Sequence, residues 1–78
     1  MTISQLREAI RKAPFEPFTI CLADGRSFRV KHPECVAFFP DANRTFIVAG
    51  PGEEYRVLDA FLVTSLDYAS GKTRRRRR

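Results

Sequence analysis

The chemically most active feature of this sequence is a run of guanidinium groups near its end. Residues 74–78 are all arginine, and Lys72 precedes them. Guanidinium N–H donors match phosphate oxygens in pairs, and several in a row release many counterions from a nucleic acid. The run has no aromatic residue to stack on bases, so it predicts RNA or DNA binding without sequence preference. The candidate nucleic-acid-binding residues are Lys72, Arg74, Arg75, Arg76, Arg77 and Arg78.

The distribution of charge separates this run from the rest of the chain. The 78 residues include 14 Lys and Arg and 9 Asp and Glu, for a formal net charge of +5. Six of the 14 basic residues lie in 72–78, so residues 1–71 have eight basic and nine acidic residues, a net charge of −1. The basic isoelectric point therefore describes the terminus and not a basic folded surface. Two alternatives to nucleic-acid binding stay open: an incidental solvated terminus, and an engineered handle for cation exchange.

The remaining reactive residue types are few. His32 precedes Pro33, which is typical of a turn residue, and no second member of a catalytic triad or dyad accompanies it. Cys21 and Cys35 match no zinc-binding spacing, and two cysteines form no disulfide framework. We therefore predict free, buried thiols and a non-enzymatic protein with no metal, no cofactor and no small-molecule substrate.

Hydrophobic periodicity predicts one helix followed by short strands. Thr2 and Gln5 have the spacing of a capping box, so a helix is expected over residues 2–13. Asp24-Gly25 predicts a two-residue hairpin turn of type I′. A short 3₁₀ turn is expected at residues 59–61. Alternating apolar residues predict strands at 18–23, 26–32, 34–40, 45–49, 54–59 and 62–68.

This order predicts a mainly β protein with one N-terminal helix, of the α+β class. Strands at about ten-residue spacing are typical of a small antiparallel barrel of five or six strands. We expect a single domain over residues 1–70 and a disordered Arg-rich tail over 71–78. A stripe of Phe28, Phe38, Phe46 and Phe61 is expected in the core. The predicted core is Leu6, Ile10, Phe18, Ile20, Leu22, Phe28, Val30, Val36, Phe38, Phe46, Val48, Val57, Leu62 and Leu66.

Two resemblances follow from these segments. The stretches QLREAI, PFEPFTICLADGRSFRV, HPE and VLDAFLVTSL resemble a group of short bacterial proteins of uncharacterised function. The order of elements resembles the Sm and Hfq-like small barrels, which begin with a helix, have a DG turn before the second strand and join their last two strands by a 3₁₀ turn. The base-binding Asp-x-Asn and Arg-Gly of the Sm family have no counterpart here. The resemblance therefore implies an architecture and not base recognition, and an SH3-like barrel explains the same strand spacing.

The sequence also predicts self-association, as a dimer or a ring. Unprotected strand edges pair with other chains, and we expect such edges at residues 45–49 and 62–68. The alternative function is a protein-interaction or homo-oligomerisation module with an incidental tail. No apolar run reaches the length of a membrane span and no leader pattern is present, so we expect a cytoplasmic protein without membrane contact. The candidate interface residues are Phe39, Phe46, Val48, Val63 and Tyr68.

Overall fold

A computed structural model describes residues 1–41 and 43–68 of the chain. These residues form a mainly β structure with one helix, which confirms the α+β class. The predicted terminal tail, residues 71–78, lies outside the described residues. The elements in chain order are the helix α1 (Ile3–Arg11), the strands β1 (Phe18–Leu22) and β2 (Ser27–Val30), a first 3₁₀ turn (Pro33–Cys35), the strands β3 (Val36–Phe38), β4 (Thr45–Ala49) and β5 (Tyr55–Asp59), a second 3₁₀ turn (Ala60–Leu62) and the strand β6 (Val63–Tyr68).

The helix α1 begins at the predicted capping box. The Thr2 hydroxyl accepts a hydrogen bond from the backbone N–H of Gln5, and the Gln5 side chain accepts one from the backbone N–H of Thr2. Two backbone donors that a helix start would leave unpaired are thereby satisfied. The apolar stripe of the helix faces the sheets through Ile3, Leu6 and Ala9, all of which are buried.

Sheet A consists of β2, β1 and β6, in that order, and all of its pairs are antiparallel. The hairpin between β1 and β2 is confirmed, but its turn is not the expected two-residue type. Leu22 N–H bonds to the carbonyl of Arg26, and Gly25 N–H bonds to the carbonyl of Leu22. The loop therefore has three residues, a turn followed by Gly25 at a φ of 93°.

Sheet B consists of β3, β4 and β5, also antiparallel. The chain passes from sheet A to sheet B through the first 3₁₀ turn and returns to sheet A through the second. The second of these turns was predicted from the sequence. Asp59 caps this second turn, because its carboxylate accepts a hydrogen bond from the backbone N–H of Phe61 at 2.9 Å. The two sheets are separate three-stranded sheets and are not closed into one barrel in the described chain.

One hydrophobic core joins the helix to the inner faces of both sheets. Most of the predicted core is confirmed, either as buried residues or as partly buried ones packed on them; Ile10, Phe28, Phe38 and Leu66 are of the second kind. The buried residues are Ile3, Leu6, Ala9, Phe18, Ile20, Leu22, Val30, Val36, Phe46, Val48, Leu58, Ala60 and Val63.

Three predicted core residues lie on the surface instead. Val57 is 56% exposed, because β5 pairs with β4 so that Leu58 meets Phe46 on the inner face. Leu62 is 43% exposed, because it ends the 3₁₀ turn and leaves Val63 to face the core. Phe61 is 60% exposed, and its ring lies under the guanidinium group of Arg44.

The predicted sheet edges were half correct. β6 is an edge strand of sheet A, as expected, whereas β4 is the central strand of sheet B. The free edges in the described chain are therefore those of β2, β6, β3 and β5.

Among the described residues, α1 and the two 3₁₀ turns are all too short to span a bilayer.

Candidate nucleic-acid interface

The last described residue, Tyr68, lies at one end of sheet A. Phe18 in β1 pairs with Tyr68 on one side and with Val30 on the other. Neighbouring strands lie about 4.8 Å apart, so the Cα atoms of Tyr68 and Val30 are separated by about 10 Å. Tyr68 therefore lies at the same end of sheet A as Lys31 and His32, which follow Val30.

A groove of about 510 Å³ lies beside that end of the sheet. One wall is the free edge of β2 and the segment after it, and the other is the end of β4 with the turn that follows. Apolar atoms form most of its surface, and basic side chains stand at its rim. The lining residues are Ser27, Phe28, Arg29, Lys31, His32, Cys35, Ala49, Gly50 and Pro51.

The basic side chains of this groove are not neutralised by partners. The described residues form three ion pairs, and these use Lys12, Arg26 and Arg44 as their cations. Neither Arg29 nor Lys31 forms an ion pair with a described carboxylate, and both residues are exposed. The charge of the groove is therefore available to an anion from solvent.

Acidic residues lie beside the groove: Glu54 lines an adjoining cavity, and the exposed Glu34 lies in sequence between the lining residues His32 and Cys35. A smaller cavity of about 100 Å³ adjoins it and is lined partly by the same residues, Phe28, Gly50 and Pro51, together with Glu54 and Arg56. No carboxylate is among the residues that line the larger groove itself. The residues that line that groove include two exposed basic residues, Arg29 and Lys31, and the half-buried Phe28.

A second basic surface lies on the outer face of α1. Ser4, Arg7, Glu8, Arg11 and Lys12 line an open depression there. Most of its charge is already engaged: Lys12 is paired with Glu16, and Glu8 supplies a negative charge. Arg7 lies over the ring of Phe38 at 5.2 Å. This surface is therefore a weaker anion site than the groove.

The residues proposed from the sequence fall into three groups. The basic residues 72–78 lie outside the described residues. Phe39 and Tyr68 are 43% and 39% exposed, so their side chains are available for contacts. The other three candidate interface residues, Phe46, Val48 and Val63, are buried in the core of the protein and contribute no exposed side chain. The correction arises because β4 is central in its sheet and Val63 packs opposite Leu22.

The histidine and the cysteines form no reactive cluster. His32 is exposed and begins the first 3₁₀ turn, which agrees with its prediction as a turn residue. Both thiols are free and half-buried rather than fully buried. Burial raises the pKa of the Cys21 thiol, which also donates a hydrogen bond to the carboxylate of Asp67 at 3.3 Å. Within residues 1–41 and 43–68, no three metal-binding side chains come together.

Sequence reasoning did not identify the groove. In the sequence, Arg29 and Lys31 are simply part of the predicted strand of residues 26–32. The missing information is tertiary, because the opposite wall comes from residues 49–51, which are about twenty positions away in sequence. The only local sequence feature that points to the groove is the pair of basic residues, Arg29 and Lys31, on either side of Val30.

Comparisons with protein-family models, with curated proteins and with solved structures found no match to this chain.

Proposed function

We propose that this protein is a non-enzymatic nucleic-acid-binding module that holds the phosphate backbone of RNA or DNA without sequence preference. One observation carries the proposal: Tyr68, the last described residue before the basic run, lies in the same row of sheet A as Val30, whose sequence neighbours Arg29 and Lys31 line the groove. The basic run begins at Lys72, four residues after Tyr68, and we propose that it acts together with the cations of the groove.

Phosphate contacts made by the cations of the terminus and by those of the groove add to one another in affinity. The terminus has six cations and the groove has two that are free of described carboxylates. Each cation that neutralises a phosphate releases counterions, and these contributions add. We propose that one strand of nucleic acid contacts both sets of cations.

The strand order supports a finer proposal about architecture. Sheet A and sheet B have the order β2-β1-β6 and β3-β4-β5, with a 3₁₀ turn before the last strand. We propose that they are the two halves of a small Sm-like or SH3-like barrel. In that arrangement the groove lies at the seam where the two halves approach each other.

Removal of the groove charges tests the proposal. In the double variant Arg29→Gln/Lys31→Gln, two phosphate contacts are lost, and we expect affinity for a labelled 20-nucleotide single strand to fall about tenfold at about 0.1 M salt. Fluorescence anisotropy is the assay, with RNA and DNA strands of several sequences. The two substitutions change exposed side chains, so the thermal melting temperature is expected to stay within a few degrees.

A matched control removes two charges elsewhere. The variant Arg7→Gln/Arg11→Gln on α1 has the same net charge, breaks none of the three described ion pairs and leaves the groove intact. We expect its affinity to fall much less than that of the groove variant. Equal losses in the two variants would show that only the net charge matters, and the groove would then have no role in binding.

A further inference from the structure

The edge of sheet B formed by β5 has unpaired backbone groups. Ala60 N–H bonds to the carbonyl of Arg44, and Gly50 N–H bonds to the carbonyl of Glu54. These pairs continue the register in which Phe46 meets Leu58 and Val48 meets Arg56. Hydrogen-bonded and non-hydrogen-bonded pairs alternate in an antiparallel ladder, so the even-numbered residues of β5 bond to β4.

The odd-numbered residues consequently point their backbone groups away from β4. These residues are Tyr55, Val57 and Asp59. In the part of the chain that the structure describes, β4 is the only strand that pairs with β5. Tyr55 and Val57 are also 63% and 56% exposed, so the edge is open to a large partner.

The outer face beside this edge is apolar. Val57 pairs with Ile47, which pairs with Ala37, so one row across the sheet has three apolar residues. Tyr55 and Ala49 form the next row. An exposed edge strand next to an apolar face is the usual place at which a further strand is added.

The pattern of β5 is complementary to itself. In an antiparallel pair of two β5 strands related by a twofold axis, the residue on the axis meets its own copy. An axis at Asp59 would bring two carboxylates together, and an axis at Tyr55 would extend the pairing into the turn at Gly52, whose φ is 65°. An axis at Val57 uses the whole strand, because Tyr55 then pairs with Asp59 of the second copy and every outward N–H meets a carbonyl.

The other free edges are less suitable. β3 has only three residues. At the start of β6, the carbonyl of Val63 already accepts a hydrogen bond from the amino group of Met1. The edge of β2 forms a wall of the groove described above.

We propose that β5 forms the interface of a twofold homodimer, in which two copies of sheet B join into one six-stranded sheet centred on Val57. The inference is independent of nucleic-acid binding. One added strand buries little surface, so the dimer is weak, with a dissociation constant on the order of 100 µM. The positive termini repel each other, so added salt strengthens the dimer, whereas salt weakens phosphate binding.

Sedimentation equilibrium of the full chain from about 10 µM to 1 mM, in about 0.5 M salt, tests this inference. We expect the wild-type protein to dimerise and Val57→Lys to stay monomeric, because two lysines would then face each other on the axis. The control Phe39→Lys changes an exposed residue at the opposite edge of sheet B and is expected to dimerise normally. A monomeric wild-type protein, a dimeric Val57→Lys variant or a monomeric Phe39→Lys variant would each overturn the proposal.

Amide hydrogen exchange of the wild-type protein gives a test that requires no variant to fold. The amides of Arg56 and Leu58 bond to β4 and are expected to be protected at every concentration. The amides of Tyr55, Val57 and Asp59 are expected to become protected only as the concentration rises. Exchange at these three amides that does not change with concentration would contradict pairing through β5.

Discussion

The orientation of β5 can be decided by one pair of substitutions, Leu58→Ala and Val57→Ala. The two residues are adjacent and apolar, and only one of them can face the core. Leu58 is 5% exposed and pairs with the fully buried Phe46, whereas Val57 is 56% exposed. The structure therefore predicts very different effects on stability from two changes at neighbouring positions.

The expected magnitudes follow from burial. Truncation of a buried leucine to alanine costs about 2–5 kcal/mol, from lost burial and from the cavity that remains. At a mostly exposed position the change is within about 0.5 kcal/mol, with a further few tenths from strand propensity. For a domain of this size, about 1 kcal/mol shifts the melting temperature by about 4–8 °C. Leu58→Ala is therefore expected to lower it by about 8–40 °C, and Val57→Ala by a few degrees at most.

Far-UV circular dichroism during thermal and urea unfolding is the assay, at about 5 µM, where self-association through β5 is negligible for a dissociation constant on the order of 100 µM. The reasoning would be refuted if Val57→Ala destabilised the protein as much as Leu58→Ala. That result would mean that β5 has the opposite face toward the core, as the alternation of Tyr55 and Val57 alone suggests.

Three further predictions concern single sites. Gly25→Ala is expected to cost about 1–2 kcal/mol in urea unfolding, because its φ of 93° is strained for alanine, whereas Gly50→Ala is expected to be nearly neutral. The guanidinium group of Arg44 lowers the pKa of Asp59, so the carboxylate stabilises the fold above its unfolded pKa and loses that effect as the pH falls through the folded pKa. The stability difference between wild type and Asp59→Asn should therefore disappear in acid; a difference that persists unchanged to pH of about 2 would contradict this. Because its pKa is raised, Cys21 should react with iodoacetamide more slowly at pH of about 8 than the same thiol in the urea-unfolded chain, and an equal rate would argue against its burial.

Much of the fold could be predicted from local patterns. The capping box at Thr2, the strand of residues 45–49 and the 3₁₀ turn after Asp59 each depend on residues that are close in sequence. Their physical causes are hydrogen bonds to nearby backbone groups and the alternation of apolar side chains. These causes act within a few residues, so the sequence shows them directly.

The errors arise where distant pairing decides between two local choices. In β5, Val57 and Leu58 are both apolar, and only the register with β4 assigns Leu58 to the core. In β6, a register shift opposite Cys21 and Leu22 puts both Val63 and Leu66 toward the core, so simple alternation fails. Sheet order is likewise a property of the whole chain, which is why the strand of residues 45–49 was expected at an edge.

In the candidate site too, some features follow from local sequence and others only from the folded arrangement of distant segments. The phosphate binding that we propose for the arginine run follows from residue type alone. The groove does not, because Arg29 and Lys31 acquire a facing wall only when residues 49–51 fold against them. The local sequence around each wall is ordinary for a strand or a turn.

The salt dependence of nucleic-acid binding tests the central claim most directly. For a single strand, each phosphate contact contributes about −0.7 to the slope of the logarithm of affinity against the logarithm of salt concentration. Six to eight contacts predict a slope of about −4 to −6 for the full chain. The slope should become less steep by about 1.4 for Arg29→Gln/Lys31→Gln and by about 4 for a chain that ends at Gly71. A full-chain slope near zero, or a slope that the groove variant leaves unchanged, would contradict binding of the phosphate backbone by the groove and the terminus together.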